Sequence, residues 1–291
     1  MDAAAGWLFD PYQFEFMRRA LLVLLIVSVV GGVVGTFVVH KGLAFSGDAL
    51  AHSTLAGVAV AFVNGANVSV GALVAAVATA IGIGWTQRRG RVSYDTAIGI
   101  LFVAMFSLGV LVISRRTSYT PDLFSFVFGN ILGVSQSDLL GAAILGVATL
   151  LFVAAFRREL VMVAYDPATA ETVGVSVRFF QYALLVLIAV AVVVALKAIG
   201  IVLVNAMLIV PAATASLLAR RIQRIMLLAV GIAVASSVVG LHVSFHANVA
   251  TSPAIVLVAC AAFAATLALV SRRRARAIEL PSPATGSTAP A

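Results

Sequence analysis

Two pairs of polar side chains lie in apolar stretches of this sequence, where charge is unexpected. Asp48 and His52 are four residues apart. His242 and His246 have the same spacing. Residues at i and i+4 stack on one face of a helix, about 5–6 Å apart at Cβ. Carboxylate and imidazole groups commonly bind first-row divalent cations, so each pair is a candidate metal-binding pair, and facing helices would place four ligands around one ion.

Two other interpretations of these pairs stay open. A buried histidine can simply hydrogen-bond a neighbouring carbonyl group, and a pair at a helix end can be hydrated by interfacial water. Charges inside a bilayer are costly, however, and intramembrane ionisable residues usually have a function. Asn205 is a further polar residue in an apolar run, whereas His40 stands beside Lys41 at a loop edge.

The elements that position these residues are membrane helices. The chain has 291 residues, of which 62% are hydrophobic and 10% are charged, too little charge to cover a soluble domain. Its mean hydropathy is +1.13. Runs of about 20 apolar residues recur, each long enough to cross a bilayer, and the alternating segments of a membrane β-barrel are absent. We therefore predict an all-α, polytopic integral membrane protein.

The hydrophobic runs predict nine transmembrane helices. An eight-helix alternative stays open because the second run is short, and the apolar stretch 120–135 is not counted as a crossing. The predicted spans are 20–39, 49–63, 68–86, 95–113, 139–156, 179–196, 199–217, 225–246 and 253–270.

Basic residues indicate the orientation of the chain. With the N-terminus outside and the C-terminus in the cytoplasm, the inner loops carry 14 Lys and Arg residues and the outer loops carry 5. The opposite orientation would violate the positive-inside rule. The net charge of +8 reflects this bias, so no nucleic-acid partner is expected. The outer set is Arg18, Arg19, Arg115, Arg116 and Lys197.

The chain divides into one membrane domain and a tail. Residues 1–276 form a single transmembrane domain, and 277–291, rich in Pro, Ser, Thr and Ala, are predicted to be disordered in the cytoplasm. The acidic start of the chain does not resemble a cleavable signal peptide. Cys260 stands alone in an apolar run and is expected to be a small buried side chain.

A hydrophilic segment, 164–178, interrupts the spans on the inner side. Asp166 is a good N-cap, Pro167 suits the first helical position, and Glu171 adds a negative charge early in the helix. Gly174 suits the C-terminal end. The segment predicts a short helix, which is either an ordinary structured loop or a docking element for a cytoplasmic partner.

Enzymatic motifs are missing from the sequence. It has no G-x-x-x-x-G-K-[ST] phosphate loop, no HExxH motif and no serine nucleophile elbow. We therefore predict that this chain is not an enzyme and does not hydrolyse ATP by that route.

Seven segments together resemble the membrane permease subunits of metal-ion ABC importers, the zinc, manganese and iron group. They occur in order through nearly the whole chain. The segments are FMRRALL at 16–22, LAFSGDALAHSTLAGVA at 43–59, YDTAIGI at 94–100, DLFSFVFGNILGVSQSDL at 122–139, DPATAETVGV at 166–175, NAMLIVPAATASLLARR at 205–221 and ATSPAIVLV at 250–258.

This resemblance implies partners and a fold. Such permeases form dimers, usually homodimers, in the cytoplasmic membrane of a prokaryote. Each docks a separate ATPase subunit and receives metal from an extracytoplasmic solute-binding protein. The fold is similar to that of cobalamin and siderophore importer permeases, with one fewer starting helix. The segment 166–175 looks like the coupling helix that inserts into the ATPase, which would assign that role to Asp166, Pro167, Ala170, Glu171 and Gly174.

The resemblance also implies site residues. The Asp-x-x-x-His of the second span, here Asp48 and His52, lines the metal pathway. His246 looks like a family position, whereas His242 stands where an aromatic residue is often found. Asn248 stands where an acidic residue is common, which argues against a metal-binding role for it.

The predicted function is ATP-driven import of a divalent transition metal. Zinc is preferred because three candidate imidazoles accompany one carboxylate, whereas manganese prefers more oxygen. No cofactor is bound permanently; Zn²⁺ or Mn²⁺ is carried transiently. The alternatives are a manganese or iron importer of the same family, an ATPase-independent cation transporter, and a permease for metal chelates.

Overall fold

The computed structural model describes residues 13–89, 92–114, 129 and 131–278 of the chain. Within these ranges the protein is helical. The helices are α1 (Glu15–His40), α2 (Ala44–Val63), α3 (Val68–Arg89), α4 (Tyr94–Ser114), α5 (Gln136–Ala155), α6 (Arg157–Tyr165), α7 (Pro167–Thr172), α8 (Val177–Leu218), α9 (Ile222–Ala247) and α10 (Thr251–Ile278), with a 3₁₀ turn at Ile131–Gly133 before α5.

The nine predicted membrane spans are confirmed in the described part of the chain. Nine helical segments there are long and apolar enough to cross a bilayer. The second, α2, has 20 residues and is about 30 Å long, so the eight-helix alternative is unnecessary. The stretch 120–135 lies mostly outside the described residues. Helix α10 continues to Ile278, two residues beyond the predicted end of the membrane domain, and 279–291 also lie outside the description.

Helix α8 holds two of the nine spans. It breaks at Gly200, whose φ of 75° and ψ of 168° are not helical and are readily adopted only by glycine. The two spans are α8a (Val177–Leu196) and α8b (Ala198–Leu218). The Ser252 hydroxyl of α10 donates a hydrogen bond of 3.2 Å to the carbonyl of Ile199 at the break. The Ile199 carbonyl, which the break in the helix frees, therefore still has a hydrogen-bond partner in a region where lipid tails could not supply one.

The core of the membrane domain surrounds α8. This helix packs against α1, α2, α3, α9 and α10. By contrast, the most apolar windows of α4, α5 and α10 are only 17–22% buried, so their outer faces meet lipid or another chain. The expectation of a buried Cys260 is wrong, because this α10 side chain is exposed.

Helices α1 and α2 approach the middle of α8b very closely. A Cβ atom at Gly35 of α1 would lie 1.9 Å from the carbonyl oxygen of Leu208, and one at Gly47 of α2 would lie 2.9 Å from Oδ1 of Asn205. Small residues let membrane helices approach in this way. This contact places the first turns of α2, with Asp48, directly against α8b.

Replacing Gly35 should destabilise the membrane domain. We expect Gly35→Val to cost about 1–3 kcal/mol or more, as overpacking does, because the new side chain meets a backbone carbonyl that cannot rotate away. Thermal unfolding of the purified protein in detergent measures the loss. Gly141→Ala in α5 is the matched control, since its Cβ would meet nothing within 4 Å. Equal stability of both variants would contradict the close packing.

Candidate functional site

The Asp48 and His52 side chains face each other on α2. Nε2 of His52 lies 3.7 Å from Oδ1 of Asp48. Bonds from a transition metal to imidazole nitrogen or carboxylate oxygen are about 2.0–2.2 Å. One ion can therefore contact both atoms at once with a bent ligand–metal–ligand angle, and the i, i+4 geometry predicted from the sequence is present.

Asn205 of α8b binds the same carboxylate oxygen. Its Nδ2 donates a hydrogen bond of 2.7 Å to Oδ1 of Asp48. Asn205 is three residues from Leu208, the centre of α8b at 198–218, a distance of about 4.5 Å along the helix. Although Asp48 is in the second turn of α2, the contact therefore lies near the middle of a membrane span.

The surroundings of the pair combine an aromatic wall and an open side. The ring of His52 meets the rings of Phe102 and Phe106 of α4 edge to face, at centroid distances of 5.3 and 5.9 Å. The side chains of His52 and Asp48 nevertheless remain 27% and 50% exposed. An exposed carboxylate at this depth is costly in hydrocarbon, so the open side suits a water-filled path or a second chain.

The second predicted pair does not join the first. His242 is buried, and its Nδ1 donates a 2.9 Å hydrogen bond to the carbonyl of Val238, which is the carbonyl-bonded interpretation left open above. His246 is exposed in the last turn of α9, with Phe245 edge-on to its ring. Within the described ranges, no three or more His, Cys, Asp and Glu side chains are grouped as a metal site. The four-ligand arrangement is therefore not formed by the described part of one chain.

The short loop helix forms as the sequence predicted. The backbone N–H of Thr169 donates a 3.0 Å hydrogen bond to the Asp166 carboxylate, and Pro167 occupies the first turn. Hydrogen bonds from the hydroxyl and the N–H of Thr169 lower the pKa of Asp166, so the cap stays ionised at neutral pH. The expected position of Glu171 early in the helix is wrong, because the helix is only Pro167–Thr172 and the exposed Glu171 lies near its end.

The C-terminal end of α7 explains the glycine at 174. Gly174 has a φ of 82° and donates from its N–H to the carbonyl of Glu171, while the N–H of Val175 donates to the carbonyl of Ala170. This paired pattern is a Schellman motif, which favours glycine at the left-handed position. Ala170 is fully buried and the other residues of α7 are exposed. Ala170 therefore anchors the helix against the rest of the protein.

Asn205 is the residue whose importance sequence reasoning missed. The sequence indicates only a polar residue in an apolar run, because Asn205 has no polar partner at helical spacing to suggest a role. Its Oδ1 is buried and has no hydrogen-bond partner among the described residues. Such an unsatisfied acceptor costs about 1–3 kcal/mol. The signal that could have found it is its position in the interior of the apolar run 199–217.

Comparisons with known proteins agree with this architecture. Residues 13–270 match the ABC 3 transport family. The chain is 40% identical over 251 residues to the manganese transport system membrane protein MntC of Listeria innocua, covering 86% of this chain and 89% of that protein. It is 34% identical over 262 residues to a probable iron transport system membrane protein of Haemophilus influenzae, covering 90% and 96%.

A solved structure shows the same fold. PsaBC from Streptococcus pneumoniae, in complex with Fab, superposes with a TM-score of 0.83 at 34% identity, covering 95% of this chain and 99% of that chain. The predicted all-α permease fold is thereby confirmed. Together with the family match and the intramembrane Asp–His pair, this shows that the chain belongs to the ABC 3 transport family, the membrane permease subunits of metal-ion ABC importers.

Proposed function

We propose that this permease passes Mn²⁺ across the cytoplasmic membrane into the cell by way of Asp48 and His52. The observation that carries the proposal is the 3.7 Å separation of the two side chains at mid-span. A carboxylate and an imidazole there offer a cation two ligands that replace water molecules lost from its hydration shell. Because a few ligands on one side of an ion form an open site, they bind it weakly enough for release.

Manganese replaces zinc as the proposed cargo for two reasons. The zinc prediction depended on three imidazoles, but only His52 lies beside Asp48, and manganese suits a site richer in oxygen. The similar membrane proteins of Listeria innocua and Streptococcus gordonii are named as manganese transport components. We keep His242 and His246 as a separate proposed contact for the ion, on α9.

We propose that α7 is the coupling helix for a separate ATPase subunit. It is a short, capped helix between two membrane spans, and it packs against its neighbour α6, in which Leu160 and Val163 are buried. Asp166, Pro167, Glu171 and Gly174 would shape the inserted surface, and the buried Ala170 would anchor it. Movement of the ATPase would then shift the permease between outward-open and inward-open states.

The remaining partners and the orientation follow from exposure and charge. The exposed side of Asp48 would face a second copy of the permease, so that a homodimer encloses the path. A solute-binding protein would deliver the ion from outside. With the N-terminus outside and the C-terminus inside, α7 and the arginine-rich loops lie in the cytoplasm, as the positive-inside rule favours.

Metal competition in cells tests the cargo and the mechanism. The permease would be produced with its ATPase and solute-binding partners in cells lacking their own high-affinity importers, and manganese, zinc and iron would be offered together. We expect Mn²⁺ accumulation that disappears when the ATPase is omitted. Zinc preference would overturn the manganese assignment. Uptake without the ATPase would instead indicate an ion-coupled cation transporter.

A further inference from the structure

Only one of the two polar atoms of the Asn205 carboxamide has a hydrogen-bond partner among the described residues. Its Nδ2 group donates to Oδ1 of Asp48 at 2.7 Å, whereas its Oδ1 is buried without a hydrogen-bond partner in the part of the chain that the structure describes. Buried polar atoms in proteins are nearly always paired. The amide oxygen therefore keeps an unused capacity to accept, next to a candidate cation site.

The absence of a side chain at Gly47 leaves room for the Asn205 carboxamide beside α2. A Cβ atom there would come within 2.9 Å of Oδ1 of Asn205, so any larger residue would press on the carboxamide. The amide lies against a bare backbone on one side and a carboxylate on the other. It can exchange the positions of its nitrogen and oxygen by rotating about its last side-chain bond, with no movement of the helices.

We propose that Asn205 switches between two roles as the ion passes. Without an ion, its N–H₂ group neutralises part of the Asp48 charge by hydrogen bonding. With an ion, the amide turns and its carbonyl oxygen becomes a third ligand beside Asp48 and His52. This inference rests on the proposed function, because it assumes that a divalent cation occupies this pair.

The distances fit that exchange. After rotation, the carbonyl oxygen would occupy the place where Nδ2 now lies, 2.7 Å from Oδ1 of Asp48. Two ligands bound at about 2.1 Å and at right angles lie about 3 Å apart, so both oxygens can share one ion. Two oxygens at this distance repel each other unless a cation lies between them. The amide therefore turns its oxygen toward Asp48 only when the ion is bound.

The third ligand would set metal preference. Carboxylate and amide oxygens suit Mn²⁺, whereas Zn²⁺ is satisfied by a tetrahedral set with more nitrogen or sulfur. Asn205 therefore favours manganese at the moment of transfer. When the ion leaves, the amide nitrogen again binds Asp48, which helps to release the ion.

Two substitutions separate this switch from a fixed helix-to-helix hydrogen bond. Asn205→Leu removes donor and acceptor, and we expect the apparent affinity for Mn²⁺ to fall roughly tenfold, the effect of losing about 1.4 kcal/mol, with a smaller loss for Zn²⁺. Asn205→Asp keeps an oxygen ligand but cannot donate. We expect it to retain Mn²⁺ affinity and to have a lower maximal uptake rate, because release is slower.

Matched controls are available at Asn64, which is exposed and donates from Nδ2 to the carbonyl of Val60 at 2.8 Å. Asn64→Leu and Asn64→Asp should leave uptake of both metals unchanged. If Asn205→Asp instead loses Mn²⁺ affinity as Asn205→Leu does, Asn205 is only a donor that positions Asp48 and the switch is wrong. If the unsubstituted permease takes up no Mn²⁺ at all, the proposed function itself fails.

A direct measurement of the ligand does not depend on transport. The permease–ATPase complex would be prepared with ¹³C-labelled asparagine and loaded with Mn²⁺ alone, and electron–nuclear double resonance would detect a carboxamide carbon next to the ion. We expect a ¹³C coupling that disappears in Asn205→Leu and persists in Asn64→Leu. Bound Mn²⁺ without such a coupling would overturn the inference.

Discussion

Asp48→Ala and His52→Ala should each lower metal uptake by about tenfold or more while leaving the permease in the membrane. Each substitution removes one of the two proposed ligands, whose nearest atoms lie 3.7 Å apart. Losing even about 1.4 kcal/mol of ion binding lowers affinity tenfold, so we expect uptake to fall by about that factor or more. Cellular accumulation of ⁵⁴Mn, normalised to the amount of permease in the membrane fraction, measures the effect.

The chain offers matched controls for this experiment. Asp95 is an exposed aspartate at the start of α4, and His40 is a histidine whose Nδ1 donates to the carbonyl of Thr36. Asp95→Ala and His40→Ala should retain most of the uptake. Normal accumulation by both Asp48→Ala and His52→Ala would show that the ion passes elsewhere.

Charged substitutions in α7 should separate the permease from the proposed ATPase subunit. Ala170 is fully buried, and a buried unpaired charge costs several kcal/mol, so Ala170→Glu should displace the helix. Gly174→Glu forces a side chain onto a backbone with a φ of 82°, at a cost of about 1–2 kcal/mol. We expect the ATPase to be lost from affinity-purified permease and uptake to fall at least about tenfold, the equivalent of about 1.4 kcal/mol.

A charge placed elsewhere on the same side of the membrane controls for this effect. Ser271 is exposed near the end of α10, and Ser271→Glu should leave ATPase binding intact. A complex that still co-purifies, with full transport-coupled ATP hydrolysis, in both α7 variants would show that another segment couples the two subunits.

Much of the fold was predictable because its signals are local. The length of each apolar run determines whether a helix can cross a bilayer, and the nine predicted runs correspond to nine spans among the residues that the structure describes. The α7 helix was equally predictable, since an Asp-Pro start and a glycine end act within a few residues. The expected burial of Cys260 failed because apolar character is the same on the lipid-facing and core-facing sides of a membrane helix.

In the candidate site too, the local features were predictable from the sequence and the long-range contacts were not. Asp48 and His52 face each other because residues one turn apart share a helix face, which is a property of the sequence alone. Asn205 binds Asp48 from 157 positions away, and His242 turns to its own helix instead of joining them. The contact of Asn205 with Asp48 depends on which helices pack together, and the close approach of α2 to α8b at Gly47 makes it possible. The sequence by itself determined the membrane helices, the loop helix and the Asp–His pair, because each depends on neighbouring residues. The tertiary structure alone decided that an amide, and not a second pair of imidazoles, completes the surroundings of Asp48.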